Sequence, residues 1–215
     1  MNKTPAIRIE RPSARRRLIA TAAVLILAPI YLRDLRAQET RRLTPSQTEG
    51  PYYPVTLPSD SDADLLAQGS VRYTQGQPAW VEGNVVDTAG RAVNGAVVEI
   101  WQCDVQGHYH HPGDGGRADP AFQGFGRSAV GADGSYRFRT IRPVQYSGRT
   151  PHIHVKVRLG RRELLTTQLY VEGDPGNAGD FLWRRLAEAD RAALTRRFEP
   201  VADGQRARFD IVLAA

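Results

Sequence analysis

The chain has 215 residues, a formal net charge of +6 and one cysteine. This length suits a single domain with a hydrophobic core and excludes two large ones, while a lone Cys103 excludes an internal disulfide and any site built from several thiolates. The whole excess charge lies in residues 1–37, which hold eight basic and two acidic residues, so the remainder is neutral and lacks the basic surface that nucleic-acid binding needs.

The first predicted element is an export signal in residues 1–37. A basic segment ending at Arg15-Arg16-Arg17 precedes an uncharged stretch from Leu18 to Leu32, which is short for a membrane span. The arginines fit the twin-arginine route about as well as an ordinary secretory signal. We therefore expect an exported protein, periplasmic or extracellular, whose only membrane attachment would be an uncleaved N-terminus acting as a short anchor.

Residues 38–79 are predicted to form an extended arm. They are rich in Pro, Ser, Asp and Gln and show little periodicity. The exception is one aromatic run, Glu49-Gly50-Pro51-Tyr52-Tyr53-Pro54. Two interpretations of Tyr52 and Tyr53 stay open, because they could line the mouth of a substrate pocket or simply anchor the arm.

Residues 80–215 have the pattern of an antiparallel β-sandwich. Apolar, β-branched runs recur between Gly, Asp and Asn turns. These runs predict strands near 80–87, 96–102, 135–141, 152–159, 164–171 and 207–213. One helix, from Asp180 as N-cap to about Arg197, is predicted to cover an edge or end of the sandwich. The predicted fold is all-β, a sandwich with long loops and one covering helix, preceded by the extended N-terminal arm.

All five histidines fall in two short stretches, each with a tyrosine beside or just before it. In the strand predicted at 152–159, His152 and His154 take one face. The other face carries the apolar residues Ile153, Val155, Val157 and Leu159. A solvent-facing strand could carry this pattern without function, but Tyr146 lies just upstream, across a loop that can fold back toward the histidines.

The second stretch, Gly107 to Gly113, is predicted to be a loop at one end of the sandwich, where functional groups are commonly displayed. Its four candidate side chains are His108, Tyr109, His110 and His111. They would point in different directions, and their spacing does not select among them. Solvated side chains are the default interpretation for the last two histidines.

Phenol and imidazole together indicate a hard metal ion. Tyrosine has a pKa near 10, but a bound cation depresses that value and holds the phenolate at neutral pH. Two tyrosinates and a hydroxide would neutralise a ferric ion, whereas zinc or copper would more often recruit cysteine or a third histidine. Ferric iron is therefore preferred. The alternative is a zinc or copper enzyme centred on His108, His110, His152 and His154.

Several motifs, in this order, resemble the intradiol ring-cleavage dioxygenases, the family of catechol and protocatechuate dioxygenases. They lie at residues 49–54, 101–109, 133–143, 149–154 and 167–175, and the resemblance runs from roughly Thr48 to Glu199. It implies a non-haem Fe(III) ion held by Tyr109, Tyr146, His152 and His154. It also implies that Arg149 and Gln168 act beside the ion.

The resemblance further implies the reaction. A catechol-type diol would chelate the iron and displace Tyr146, which would accept a substrate proton, while Arg149 would stabilise developing negative charge. Dioxygen would then cleave the bond between the two hydroxyl-bearing carbons to give a cis,cis-muconate-type product. Catalytic roles therefore fall on Arg149, Gln168 and Tyr146.

Two departures from the family's better-known members leave the substrate and the oligomeric state open. A homo-oligomer is one of the open states. The loop between Tyr146 and His152 has only five residues, and the helical N-terminal dimerisation region of the catechol enzymes is missing. The main alternative from another class is a secreted β-sandwich binding module without activity.

Overall fold

The structure is a computed structural model that describes residues 41–214. The predicted export signal and the first residues of the predicted arm lie outside the described residues. Between residues 41 and 214 no helix has the length and hydropathy of a membrane span.

Two five-stranded sheets form the framework of the described chain. One sheet has the order β10-β11-β3-β12 with β6 also paired to β3, the other has the order β5-β4-β7-β8-β9, and β1 and β2 form a small hairpin in the arm. The strands are β1 Ala67–Gln68, β2 Val71–Arg72, β3 Pro78–Asp87, β4 Ala96–Trp101, β5 Phe125–Ala129, β6 Ser135–Ile141, β7 His152–Leu159, β8 Arg162–Val171, β9 Thr195–Arg196, β10 Glu199–Val201, β11 Gly204–Arg208 and β12 Ile211–Leu213.

The core lies between the two sheets because alternate residues of each strand point inward. The sheet centred on β3 contributes Val81, Val85, Phe138, Ala207 and Ile211 to the buried cluster. The sheet centred on β7 contributes Val98, Ile100, Ile153, Val155, Val157 and Leu169. The all-β sandwich predicted from the alternation is confirmed.

The sheets are mixed rather than purely antiparallel. The pairs β4-β7, β7-β8 and β3-β6 are antiparallel, as predicted. The pairs β4-β5 and β10-β11 are antiparallel as well, although β5 and β10 were not predicted. Strands β11 and β12 both pair with β3 in parallel. Together they replace the single strand predicted at 207–213. The division falls at Phe209 and Asp210, where the Phe209 carbonyl lies so close to Gly83 that a Cβ at that position would lie 2.2 Å from the oxygen.

The alternation predicted for β7 ends early. The register of β7 with β8 shifts between Val157 and Arg158, and Leu159, predicted on the core face, is 40% exposed. The strand β5 was missed altogether, because its sequence Phe-Gly-Arg-Ser-Ala at an edge position has almost no apolar alternation.

The single helix predicted from Asp180 to Arg197 is wrong in extent. Two short helices, α1 Phe181–Arg185 and α2 Glu188–Leu194, are separated by Leu186 and Ala187 in extended conformation. Beyond α2, Thr195 and Arg196 pair in parallel with the end of β8 instead of continuing the helix. Asp180 does cap α1, since its side chain accepts from the backbone N–H groups of Leu182 and Trp183.

Candidate metal centre

Strand β7 presents two buried imidazoles side by side. His152 and His154 are each 1% exposed, which rules out the solvent-facing interpretation, and their Nε2 atoms lie 3.2 Å apart. The Nδ1 atom of His152 lies 2.7 Å from the Thr150 carbonyl oxygen. An imidazole that donates from Nδ1 keeps its lone pair on Nε2. Two ring nitrogens this close could both bind one metal ion.

Both imidazoles are neutral. Burial, together with the positive charge of Arg149, lowers the pKa of His152 to about 4. Burial and the neighbouring His152 ring lower the pKa of His154 well below its usual range. Neutral nitrogens are the form that coordinates a metal ion.

Tyr109 is delivered by a loop that two buried aspartates hold in place. Asp104 Oδ1 accepts from the backbone N–H groups of Gln106 and His108, and Asp114 Oδ2 accepts from that of Tyr109 at 2.7 Å. The Tyr109 side chain is 2% exposed, and within residues 41–214 its hydroxyl has no hydrogen-bond partner. A buried hydroxyl without a partner is costly, so its position needs an explanation.

Tyr146 reaches the same place from the loop before β7. A tight turn through Ser147 and Gly148, both with positive φ, is closed by the bond from Arg149 N–H to the Tyr146 carbonyl at 2.7 Å. The four candidate rings form a closed circuit. Their centroid separations are 4.9 Å for Tyr109–Tyr146, 5.4 Å for Tyr146–His152, 4.7 Å for His152–His154 and 6.0 Å for His154–Tyr109.

The two phenols favour a cation between them. Burial, followed by the Cys103 and Tyr146 side chains, raises the pKa of Tyr109 well above its ordinary value. Burial also raises the pKa of Tyr146, against the opposing charge of Arg149. The raised pKa values keep both phenols protonated at neutral pH unless a cation lies beside them, so the circuit offers two potential anionic oxygens and two neutral nitrogens to one ion.

Arg149 and Gln168 are brought together beside the four rings. Arg149 donates from Nη2 to Gln168 Oε1 at 2.8 Å and from Nε to Asp180 Oδ2 at 2.6 Å. Gln168 pairs with His154 across β7 and β8, and its Nε2 donates to the Thr48 carbonyl at 3.0 Å. Asp180 was predicted only as a helix cap, and its contact with Arg149 could not be read from the sequence.

The four rings of Tyr109, Tyr146, His152 and His154 form the candidate metal centre, called the centre below. The arm passes over it at residues 47–53. Tyr52 stacks on Tyr109 with centroids 4.8 Å apart and lies 6.0 Å from Tyr146, so it faces two candidate ligands. Tyr53 instead donates its hydroxyl to buried Glu99 at 2.8 Å and packs edge-on against Trp101. The geometry places Tyr52 at the centre and Tyr53 in the anchoring role.

Two further side chains at the centre were not predicted there. The Trp101 indole is parallel to the His154 ring, with centroids 4.8 Å apart, so it limits rotation of that imidazole. Lys156, two residues beyond His154 on the same face of β7, is buried and pairs with Glu49 of the arm and with Glu163. The period of two in β7 could have signalled Lys156, but its partners could not be read from the sequence.

The remaining histidines are engaged elsewhere. His110 Nε2 lies 2.6 Å from the Phe122 carbonyl, and His111 Nδ1 accepts from the Gly113 N–H. His108 Nδ1 lies 3.5 Å from the Asp114 carboxylate. Among residues 41–214 no three His, Cys, Asp or Glu side chains converge on a site for a metal ion. The donor set of the zinc or copper alternative is therefore not assembled.

Comparison with known proteins gives a family. A family model described as dioxygenase matches residues 48–215. The chain is 34% identical to the protocatechuate 3,4-dioxygenase beta chain of Burkholderia cepacia, covering 86% of this chain and 87% of that protein. It is 33% identical to hydroxyquinol 1,2-dioxygenase of Corynebacterium glutamicum over 77% of this chain, and there it spans only 62% of the relative's length.

A solved structure indicates the same family. The dioxygenase domain of a dioxygenase and carbohydrate-binding protein fusion from Streptomyces sp. SirexAA-E superposes with a TM-score of 0.64 at 35% identity, covering 80% of this chain and 98% of that one. The family model begins at the residue where the motif resemblance began, and the protocatechuate relative is matched over most of both chains. This chain therefore belongs to the intradiol ring-cleavage dioxygenase family.

Proposed function

We propose that the protein is a non-haem Fe(III) enzyme that cleaves a catechol-type ring with O2, between the two hydroxyl-bearing carbons, to a cis,cis-muconate-type product. The observation that carries this proposal is the closed circuit of two phenols and two neutral imidazoles, together with a buried Tyr109 hydroxyl that has no hydrogen-bond partner among residues 41–214. Fe(III) fits this donor set, with Tyr109, Tyr146, His152 and His154 as its ligands. The chemistry that the ion would supply is withdrawal of electron density from a chelated catecholate.

The side chains divide the remaining work. Tyr146 is buried but directly precedes the exposed turn at Ser147 and Gly148, so it is the phenolate that can swing away and take a proton from the incoming diol. Arg149 is held by Asp180 and Gln168, and its remaining N–H groups can face negative charge that develops on the substrate. Tyr52 provides an aromatic wall against Tyr109.

The substrate is a small aromatic ortho-diol. The relatives are named for hydroxyquinol, protocatechuate and catechol, and this chain's short loop between Tyr146 and His152 does not favour one of them. Oxygen uptake across a panel of these diols will rank them.

We also propose that the enzyme acts outside the cytoplasm, on the strength of the signal pattern in residues 1–37, and cell fractionation will test it.

We expect purified protein to contain about one iron per chain and to be red from charge transfer between tyrosinate and Fe(III). Catechol added without oxygen should shift the absorption band, because it replaces one tyrosinate by a chelating diol. Iron analysis, visible spectroscopy and oxygen uptake measure these properties. A colourless, iron-free protein would favour the binding module, and bound zinc or copper unaffected by Tyr109→Phe would favour the other metalloenzyme.

A second expected result concerns Gly50, which has φ +73° and lies against His154. A Cβ at this position would be 3.2 Å from His154 Cε1. Gly50→Ala and Gly69→Ala should each lower the free energy of unfolding by about 1–2 kcal/mol, because both positions have left-handed backbone. Only Gly50→Ala should also weaken iron binding, by about 10-fold, since it displaces a ligand.

Gly69 is the matched control because a Cβ there meets no atom within 4 Å. Thermal unfolding and iron titration compare the two variants. Equal iron affinities would show that the arm does not position His154.

A further inference from the structure

Asp180 is a buried carboxylate with four hydrogen-bond donors around it. Its Oδ1 atom accepts from the backbone N–H groups of Leu182 and Trp183, at 3.0 and 2.9 Å, and so caps α1. Its Oδ2 atom accepts from Arg149 Nε at 2.6 Å and from the Thr150 N–H at 3.1 Å. The two oxygens thus serve different structures, one the helix and the other the segment that leads into β7.

Capping α1 requires only one of these oxygens. Serine and asparagine cap helices as well as aspartate does, so the cap alone gives no reason for a carboxylate. The second oxygen meets a guanidinium that is 8% exposed, and a buried cation without an anion beside it would be strongly destabilising. Burial opposes ionisation of Asp180, but the bonds from Arg149, Trp183 and Thr150 hold its pKa below the ordinary value, so the partner is an anion.

The guanidinium is fixed at two points. Asp180 holds Nε, Gln168 Oε1 holds Nη2 at 2.8 Å, and Gln168 is in turn tied to the arm at Thr48. One contact would leave the planar group free to rotate about the bond it makes, whereas two contacts at different nitrogens define its plane. The same Asp180 oxygen holds the N–H of Thr150, whose carbonyl lies against His152 Nδ1.

We propose that Asp180 is a positioning residue of the ring-cleavage reaction, acting through Arg149: its carboxylate sets the plane of the guanidinium toward the charge that develops on the substrate. This inference rests on the proposed function. Asp180 has no direct hydrogen bond to a candidate ligand, and Thr150, which links it to His152, is also held by Asn177 at 2.8 Å. The main contribution of Asp180 therefore belongs to turnover rather than to iron binding.

The test is a double-mutant cycle in the iron-loaded protein. Asp180→Ser keeps an oxygen for the α1 cap and removes the partner of Arg149. We expect it to lower kcat by about 10- to 100-fold, with little change in KM, iron content or the visible band. In an Arg149→Ala background the same change should alter kcat by less than about 2-fold, because the group through which it acts is gone. A loss of equal size in both backgrounds would overturn the proposal.

Asp87 offers a matched control. Its Oδ1 accepts from the N–H groups of Ala89 and Arg91, and its Oδ2 accepts from Arg91 Nε at 2.7 Å, so the bonding matches that of Asp180 except for the bond from the Thr150 N–H. Asp87 ends β3 at a turn that leads into Ala96, which pairs with Leu159 at the opposite end of β7 from His152. Asp87→Ser should therefore leave kcat unchanged, and a matching loss there would also overturn the proposal.

A readout without iron or turnover is the Arg149 Nε–H resonance in nitrogen-15 NMR spectra of metal-free protein, identified by its absence in Arg149→Ala. We expect this proton to be protected from exchange in the wild type and in Asp87→Ser, and unprotected in Asp180→Ser. Asp180→Asn, which fills the same volume, replaces the serine variant if that one fails to fold. Protection that survives both substitutions would overturn the proposal, whereas wild-type protein that consumes no oxygen with any catechol would overturn the proposed function itself.

Discussion

His152→Ala is expected to abolish iron binding and the visible absorption band. The imidazole is buried, its Nδ1 is fixed against the Thr150 carbonyl, and its Nε2 faces the other candidate ligands. Side chains that merely orient a ligand are worth about 10- to 100-fold in metal affinity, so loss of a ligand itself should weaken iron binding by at least about 100-fold. Iron titration of the metal-free variant and its visible spectrum measure the loss.

His110→Ala is the control for the loss of an imidazole. His110 also contacts a backbone carbonyl through a ring nitrogen, at 2.6 Å from Phe122 O, but it lies outside the circuit of four rings. Its removal should reduce stability and leave iron bound. If His152→Ala kept its iron and its colour, the ligand assignment would be refuted.

Tyr109→Phe tests one of the two phenol ligands of the centre. This variant should lose the visible absorption band while keeping the packing of the ring.

Arg149→Ala should keep the iron and slow turnover by about 100- to 1,000-fold, the effect of removing a preorganised donor that faces developing charge. Arg149 is not one of the candidate ligands, so the visible band should persist. Arg149→Lys should not restore the rate, because an ammonium group cannot hold the two separate contacts of a planar guanidinium. Oxygen uptake per bound iron is the measurement.

Arg127→Ala controls for removal of an arginine from a buried carboxylate. Arg127 Nε lies 3.2 Å from Glu99, which is buried like Asp180, so its loss should lower stability without changing turnover per iron. Wild-type turnover in Arg149→Ala would remove Arg149 from the mechanism. Loss of iron in that variant would show that the guanidinium supports the ion rather than the reaction.

The alternation of apolar and polar residues along the chain was enough to predict most strands of the sandwich. The period-two alternation of Ile153, Val155 and Val157 predicted both the buried face of β7 and the shared face of the two histidines. The pattern failed where pairing depends on distant partners. Thr195 and Arg196 are compatible with a helix, but they pair with the end of β8, and β5 is a strand only because β4 offers it an edge.

The candidate site likewise has one part that could be predicted from the sequence and one part that could not. The paired histidines could be predicted from the alternation in β7, whereas the choice of Tyr109 and Tyr146 followed from the family resemblance, and the structure brings those four rings together. The surroundings of the rings could not be predicted. Asp180 reaches Arg149 across 31 residues, and Trp101 meets His154 only because β4 and β7 are neighbours in the sheet.

The crossing of the arm over the centre sets the order in which the centre can be completed. Gln47 and Thr48 bond to Tyr170 and Gln168, partners 123 and 120 residues further along the chain. During synthesis β8 must therefore leave the ribosome before the arm can bond to it. All four candidate ligands precede β8 in the chain, so the arm, although it is synthesised before them, bonds to its partners only after their segments have been made.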